Sequence, residues 1–390
     1  MRVKNLRRVL IRICVVLASV LAAVLIIEAA CRLLEIDLEN SAAATRALPI
    51  YYRQPTEPVG EVFFRRPGPD VWKGNVLGVA YDKLWGAGNN PYLNEPEITV
   101  TYDRQGFRNP EDLTDWEIVV VGDSFTELGF LPFDELFTTR LGKLLGVRVK
   151  NLSVSDTSTL TQTFYLKEYG VSKSTSQSIL VFFEGNDIEG IQQEAALLEE
   201  FKATGQRPYR VARKQTSFLK FLYHAAENAY VKARRRFARK QDAYYISKTG
   251  EIPVTLEHTP PGRGQLTPKQ IELLDAALRQ YAETARASGL TPWLVFMPSK
   301  IRAQYCCLRF TESTQPRFFN WRPTDLPELV EELSKKNGLR FINVTPALLK
   351  AASEGVLTFN PLWDTHLNRE GSQVVAGAIA EELRRDGNSR

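Results

Sequence analysis

The chain has 390 residues, 44% hydrophobic and 24% charged, with a formal net charge of +5 from 50 basic and 45 acidic residues. That is globular composition with apolar material for a sizeable core, and the basic excess is too small for a nucleic-acid binder. Cys14 and Cys31 lie in an apolar N-terminal stretch and Cys306 and Cys307 are adjacent, so no disulfide framework follows; two free thiols are expected rather than a strained vicinal bridge. With three histidines (His224, His258, His366) and no CxxC pair, neither a zinc site nor a cofactor is expected.

Residues 1–40 read as a membrane segment. Ile13 to Ile27 carries no charge, and apolar residues continue past Arg12 and Glu28. Counted outward past those two side chains, which can snorkel, the run reaches the roughly 20 residues that span a bilayer. Arg2, Lys4, Arg7, Arg8 and Arg12 precede it, which puts the N-terminus in the cytoplasm and the rest outside, as a single-pass inner-membrane protein. The expectation is an uncleaved anchor. A signal peptide cut near Ala29–Ala30 and a lipoprotein signal ending at Cys31 are the alternatives.

Residues 41–115, rich in Pro, Gly, Asn and Tyr, read as an irregular lead-in to a domain over 116–390. From there strands and helices alternate. Glu117–Val121, Val147–Leu152, Ser178–Phe183, Pro292–Met297 and Leu339–Val344 read as five strands, the third almost wholly apolar, as a strand covered on both faces should be. Asp134–Leu145, Thr267–Gly289 and Arg369–Arg384 have helical spacing; Thr267 is the expected cap, Pro268 the first-turn proline and Gly289 the stop. The alternation predicts an α/β fold: a five-stranded parallel sheet between two helical layers, with ligands at the C-terminal strand ends. An insertion at about 188–265 interrupts it, with a helix expected over Ser217–Phe237 and a basic run from Lys232 to Lys240. That run reads as a solvated helix face, with anionic lipid or acidic polysaccharide as a minority reading.

Three motifs fall at those strand ends. Gly122-Asp123-Ser124-Phe125-Thr126 exposes a serine at a strand-to-helix turn, where chemistry finds an attacking oxygen and a backbone donor together. Gly185-Asn186-Asp187 can turn an amide into the same space. Trp363-Asp364-Thr365-His366-Leu367-Asn368 sets a carboxylate two residues from an imidazole, so that one ring nitrogen is oriented while the other accepts a proton. Alone, each motif is as well explained by a helix cap, a turn or a structural histidine. His224 and His258, in the insertion, read as ordinary surface or packing residues.

Serine after strand one, asparagine after strand three and D-x-H before the last helix together resemble the SGNH (GDSL-type) hydrolase superfamily, over roughly Tyr102 to Leu383. The resemblance implies a three-layer flavodoxin-like domain. It makes Ser124 the nucleophile, His366 the base and Asp364 its orienting acid. Asn186 and the Ser124 N–H then form the oxyanion hole. The family's second block usually supplies a glycine N–H as a third donor; here that position matches Asp156, whose anionic side chain is unfavourable there unless it points away. Met297-Pro298-Ser299-Lys300 and Val344-Thr345-Pro346-Ala347-Leu348 resemble the membrane-attached branch related to alginate and other polysaccharide O-acetylation proteins. The expected activity is therefore an esterase or O-acyltransferase acting on carbohydrate acyl esters. The rival is a non-catalytic envelope protein that binds glycan or a biosynthetic partner.

Overall fold

A computed structural model describes residues 2–34, 36, 56–74, 98–128, 131–207, four positions between 218 and 226, 241–312, 314–361 and 365–387. Asp364, Trp363, His224 and the basic run from 232 to 240 lie outside the described residues, as does nearly all of the helix expected over Ser217–Phe237.

Strands β1 to β12 are, in chain order, Glu57–Val59, Phe63–Arg65, Asp70–Gly74, Ile98–Tyr102, Ile118–Val121, Val149–Asn151, Gln177–Phe183, Ala243–Ser247, Gly250–Val254, Thr291–Met297, Leu308–Arg309 and Arg340–Asn343. Five of them form one all-parallel sheet in the order β12-β10-β7-β5-β6. These are the five strands expected from the sequence, with no end displaced by more than two residues. Numbered within the sheet, the order is 2-1-3-4-5. The chain reverses its direction of winding between β5 and β7, and a crevice opens there above the C-terminal strand ends.

Side chains alternate across each strand, so the sheet has two apolar faces. Val119, Val121, Leu180, Phe182, Leu294 and Phe296 point to one side, where helices Thr159–Tyr169, Pro268–Ala287 and Leu326–Lys336 cover them. Val120, Ile179, Val181, Val295, Met297 and Ile342 point to the other, under helices Phe137–Leu145, Thr345–Ser353 and Arg369–Gly387. This is the three-layer α/β architecture the alternation predicts. Thr267 caps its helix as expected, its Oγ accepting from the Gln270 N–H.

Two regions depart from expectation. The lead-in carries four short strands where irregular chain was expected: β1 pairs with β2 and β3 with β4, both antiparallel. The insertion opens with a long helix, Asp187–Thr204, and returns through a small antiparallel sheet in the order β11-β8-β9. Strands of two to five residues are too short to show a period, which is why the sequence hid them. At the N-terminus, Arg2–Leu33 is one helix, and its Ile11–Leu33 stretch, 23 residues at mean hydropathy 2.7 and almost wholly exposed, is long and apolar enough to cross a membrane. Near its end Glu28 pairs with Arg32 at 2.5 Å and accepts from the Leu219 N–H at 2.8 Å, touching the insertion.

The lead-in is fixed to the domain by buried charge. Arg66 donates through Nε and Nη2 to both oxygens of Glu127, at 2.9 and 3.1 Å. Tyr102 donates its hydroxyl to the same carboxylate at 2.8 Å, and Ser155 its N–H and its hydroxyl at 2.5 Å. Burial alone would push Glu127 up, yet Arg66 and the other donors hold it down at about 2. Arg108, wholly buried, donates to the Leu128 and Leu131 carbonyls at 2.5 and 2.7 Å. Lys150 and Asp103 form a second buried pair at 2.8 Å.

Removing one partner of a buried ion pair strands the other charge in a medium that solvates it poorly. Arg66→Ala should therefore destabilise the domain by about 3–5 kcal/mol in denaturant unfolding of the detergent-solubilised chain. Arg66→Met combined with Glu127→Gln should cost less than the sum of the two single changes; strict additivity would mean that the pair does not couple.

Candidate active site

The crevice between β5 and β7 receives residues from three distant parts of the chain. Ser124 opens a four-residue helix, Ser124–Glu127, directly after β5. The turn is tight: a Cβ on Gly122 would meet Thr126 Oγ at 2.3 Å and Val181 Cβ at 3.2 Å, so only glycine fits between the strand end and the helix. Asp123 caps the helix, accepting from the Phe125 N–H at 2.9 Å.

His366 arrives from the loop before the last helix. That loop is held by its backbone: the Asn360 N–H donates to the His366 carbonyl at 3.0 Å, the Asn368 N–H to Thr358 at 3.1 Å, and Phe359 bridges Leu367. The imidazole lies 4.7 Å from the Phe125 ring, which stacks on Phe183 at 3.6 Å. Its Nε2 is 2.7 Å from Ser124 Oγ, across 242 residues of sequence. Both side chains are buried, at 8% and 9% exposure, so little water competes for that contact.

Asn186 follows β7 and caps the helix Asp187–Thr204. The turn that presents it is closed by Asp187, which accepts from the Phe183 N–H at 2.8 Å. Gly185 lies against the Phe183 ring and His258, where a Cβ would come within 2.4 and 2.8 Å. The Asn186 amide faces Asp123 and helps draw that carboxyl down.

Asp156 stands at the position where the resemblance implies glycine. Its φ of +64° is in the left-handed region. The position thus keeps the backbone shape that glycine supplies, filled by one of the few other residue types that tolerate it. The side chain is exposed to solvent, where its charge is screened, although it still raises its neighbours Arg66 and Asp123. The expectation that an anionic side chain would disturb the site is met by this orientation toward water.

The structure thus brings Ser124 and His366 into hydrogen-bonding contact at the edge that also receives Asn186 and Asp156, and Asp364 lies outside the described residues. Other site residues escaped the sequence reading. His258, expected to be an ordinary surface or packing residue, is mostly buried at the site, with its ring edge-on to Phe183 at 5.3 Å. Burial pushes it below the ordinary histidine range, and His366 pushes the same way against Glu257. Glu257 in turn accepts from the Thr365 hydroxyl at 3.0 Å, beside the base. Glu184 staples the loops after β7 and β10, accepting from the Ser299 N–H and hydroxyl at 2.8 and 2.7 Å and from Arg302 at 2.6 Å. The Met297-Pro298-Ser299-Lys300 stretch therefore serves as an anchor for the asparagine loop. The Gly185 clash partner was the one available signal for His258, and it exists only after folding.

No family model matches the chain, and no curated protein matches it. Among solved structures it is similar to a member of the lipolytic protein G-D-S-L family from Veillonella parvula DSM 2008. That match has 12% identity, covers 69% of this chain and 98% of the other, and has a TM-score of 0.36. It is also similar to an acetylxylan esterase from Geobacillus stearothermophilus, at 11% identity over 69% of this chain and 94% of that one, with a TM-score of 0.35. The functional reading rests on the geometry of this chain.

Two buried carboxyls set the electrostatics. Burial pushes Asp123 up to about 6, against the pull of the Phe125 N–H, His366 and Asn186. Burial and the neighbouring Asp123 push Asp187 well above the carboxylate range. For Asp123 the folded value exceeds the unfolded one, so the fold binds the proton more tightly. The resulting stability is fully present below about pH 4 and is lost as pH rises through about 6. Asp123→Asn, which keeps an acceptor for the Phe125 N–H, should melt like wild type near pH 4 and above it at pH 7. A melting-temperature difference that stays flat over that range would remove the burial argument.

Proposed function

We propose that this chain is a serine-dependent acyl-ester enzyme of SGNH type, an esterase or O-acyltransferase, held at the membrane by its N-terminal helix with the catalytic domain outside the cytoplasm. The observation that carries the reading is the 2.7 Å contact between His366 Nε2 and Ser124 Oγ, at the strand ends beside Asn186.

In this mechanism His366 takes the Ser124 proton as Oγ attacks the ester carbonyl, and Asp364 orients the imidazole from its other nitrogen. The developing oxyanion is bound by the Asn186 amide and by the backbone N–H groups of Ser124 and Asp156. One such donor is worth about 10²–10³ in rate. Collapse of the tetrahedral intermediate expels the alcohol with the proton from His366 and leaves an acyl-Ser124. His366 then deprotonates the second nucleophile. Water gives hydrolysis; a sugar hydroxyl gives acyl transfer. The carboxyl of Asp123 near His366 favours the imidazolium that forms in both steps. No cofactor or metal enters this scheme.

The acyl group of this reading is acetyl or similarly short, and the alcohol a carbohydrate. The one-sided basic cluster before the apolar helix supports the extracytoplasmic orientation.

A fluorophosphonate probe tests the proposal directly. Wild-type protein should be labelled covalently and Ser124→Ala should not, with His366→Ala reducing labelling by about 10³-fold or more. Labelling of wild type that survives in Ser124→Ala, or none in either, would move the chain to the rival class of non-catalytic glycan-binding envelope proteins.

A further inference from the structure

Beside the oxyanion end of the site lies a cavity of about 160 Å³. An engineered cavity of about 150 Å³ holds one benzene ring, so this one has room for a single six-membered ring. Its walls come from three parts of the chain. Val62 and Phe64 of the lead-in give an apolar side, and Asp156, Asp187, Glu189 and Glu194 give four carboxyl groups. No lysine or arginine is among its described lining residues.

Those carboxyls are not equivalent. Glu194 is occupied, accepting from the N–H groups of Ser158, Leu160 and Thr161 and from the Thr161 hydroxyl, so it shapes the wall. Asp187 uses one oxygen for the Phe183 N–H, while its Oδ1 is buried with no hydrogen-bond partner in a side chain only 1% exposed. Asn186, on the same wall, likewise has a buried Oδ1 with no partner. Those two oxygens lie beneath the wall, and the carboxylates that reach the cavity surface are the exposed ones of Asp156 and Glu189. Glu189 lies toward the catalytic side, its charge felt by His258, which in turn feels His366. The cavity is thus continuous in electrostatic reach with the base that handles the alcohol oxygen.

We propose that this cavity is a sugar subsite that takes a neutral, hydroxyl-bearing ring next to the ester and rejects uronate rings. Ring hydroxyls donate to the exposed carboxylates of Asp156 and Glu189, and the apolar face of the ring lies against Val62 and Phe64. A ring carboxylate would instead meet Glu189 and Asp156 with no cation on the wall to receive it, a like-charge contact that disfavours the wrong ligand. The inference rests on the acyl-ester reading and narrows it, setting the chain apart from enzymes of acidic polysaccharides.

The test measures binding by ligand-observed NMR on the full-length Ser124→Ala chain in detergent, at low salt. The two ligands are acetylated xylotriose, which is neutral, and acetylated trigalacturonate, which is anionic. The neutral ligand should bind at least about tenfold more tightly, a factor within reach of one poorly screened like-charge contact. Glu189→Lys should shrink that ratio by strengthening uronate binding, and the isosteric Glu189→Gln should shift it the same way by less. Equal affinities, no binding of the neutral ligand, or a ratio unmoved by both Glu189 changes would overturn the proposal. Because the probe labelling of Ser124 is read separately on wild-type protein, the subsite can fail while the ester chemistry stands.

Discussion

A single buried carboxylate, that of Glu127, fixes the geometry on which the site depends. It is fully enclosed and ends the short helix that begins with Ser124. An unpaired ion in that position costs several kcal/mol, so the fold is viable only when its donors are in place. Those donors come from three segments: Arg66 and Tyr102 from the lead-in and Ser155 from the loop after β6. Asp156 follows Ser155 directly, so the same carboxylate that orders the Ser124 helix orders the loop carrying a proposed oxyanion donor. The described lead-in residues, 56–74 and 98–115, are therefore part of the scaffold that holds Ser124 in place. Arg108 extends the clamp by filling the carbonyls just beyond Glu127.

What the sequence reveals of this arrangement follows from periodicity and from scarcity. The parallel strands are apolar on both faces, so Ser178–Phe183 and Pro292–Met297 stand out as short unbroken runs. Ser124 and His366 stand out because few serines follow a strand through Gly-Asp and only three histidines exist. The order of the motifs then fixes the sheet edge where they meet. Arg66 and Glu127 are 61 residues apart in segments without a period, and nothing local marks them as partners. The same holds for Glu184 with Arg302, and for His258, whose place beside the site depends on how the insertion folds back. Asp156 teaches something different. Read by residue type it is a departure from glycine, whereas read by conformation it meets the same demand for a positive φ.

The placement of acid near the imidazole decides how the site manages charge. Asp123 and Asp187 are both buried and each makes the other's ionisation harder. Only one of the two can readily carry charge near neutral pH, and the values favour Asp123, held at about 6 while Asp187 lies well above its ordinary range. That division has a structural cause. Asp123 has the Phe125 N–H, the Asn186 amide and the His366 ring to stabilise its anion, whereas Asp187 has the Phe183 N–H. The carboxyl that ionises more readily is consequently the one whose charge interacts with the His366 ring. Burial thus sorts two adjacent acids by how readily each ionises, and the Asn186 amide sits at the boundary, against Asp123 on one side and in the wall of the cavity on the other.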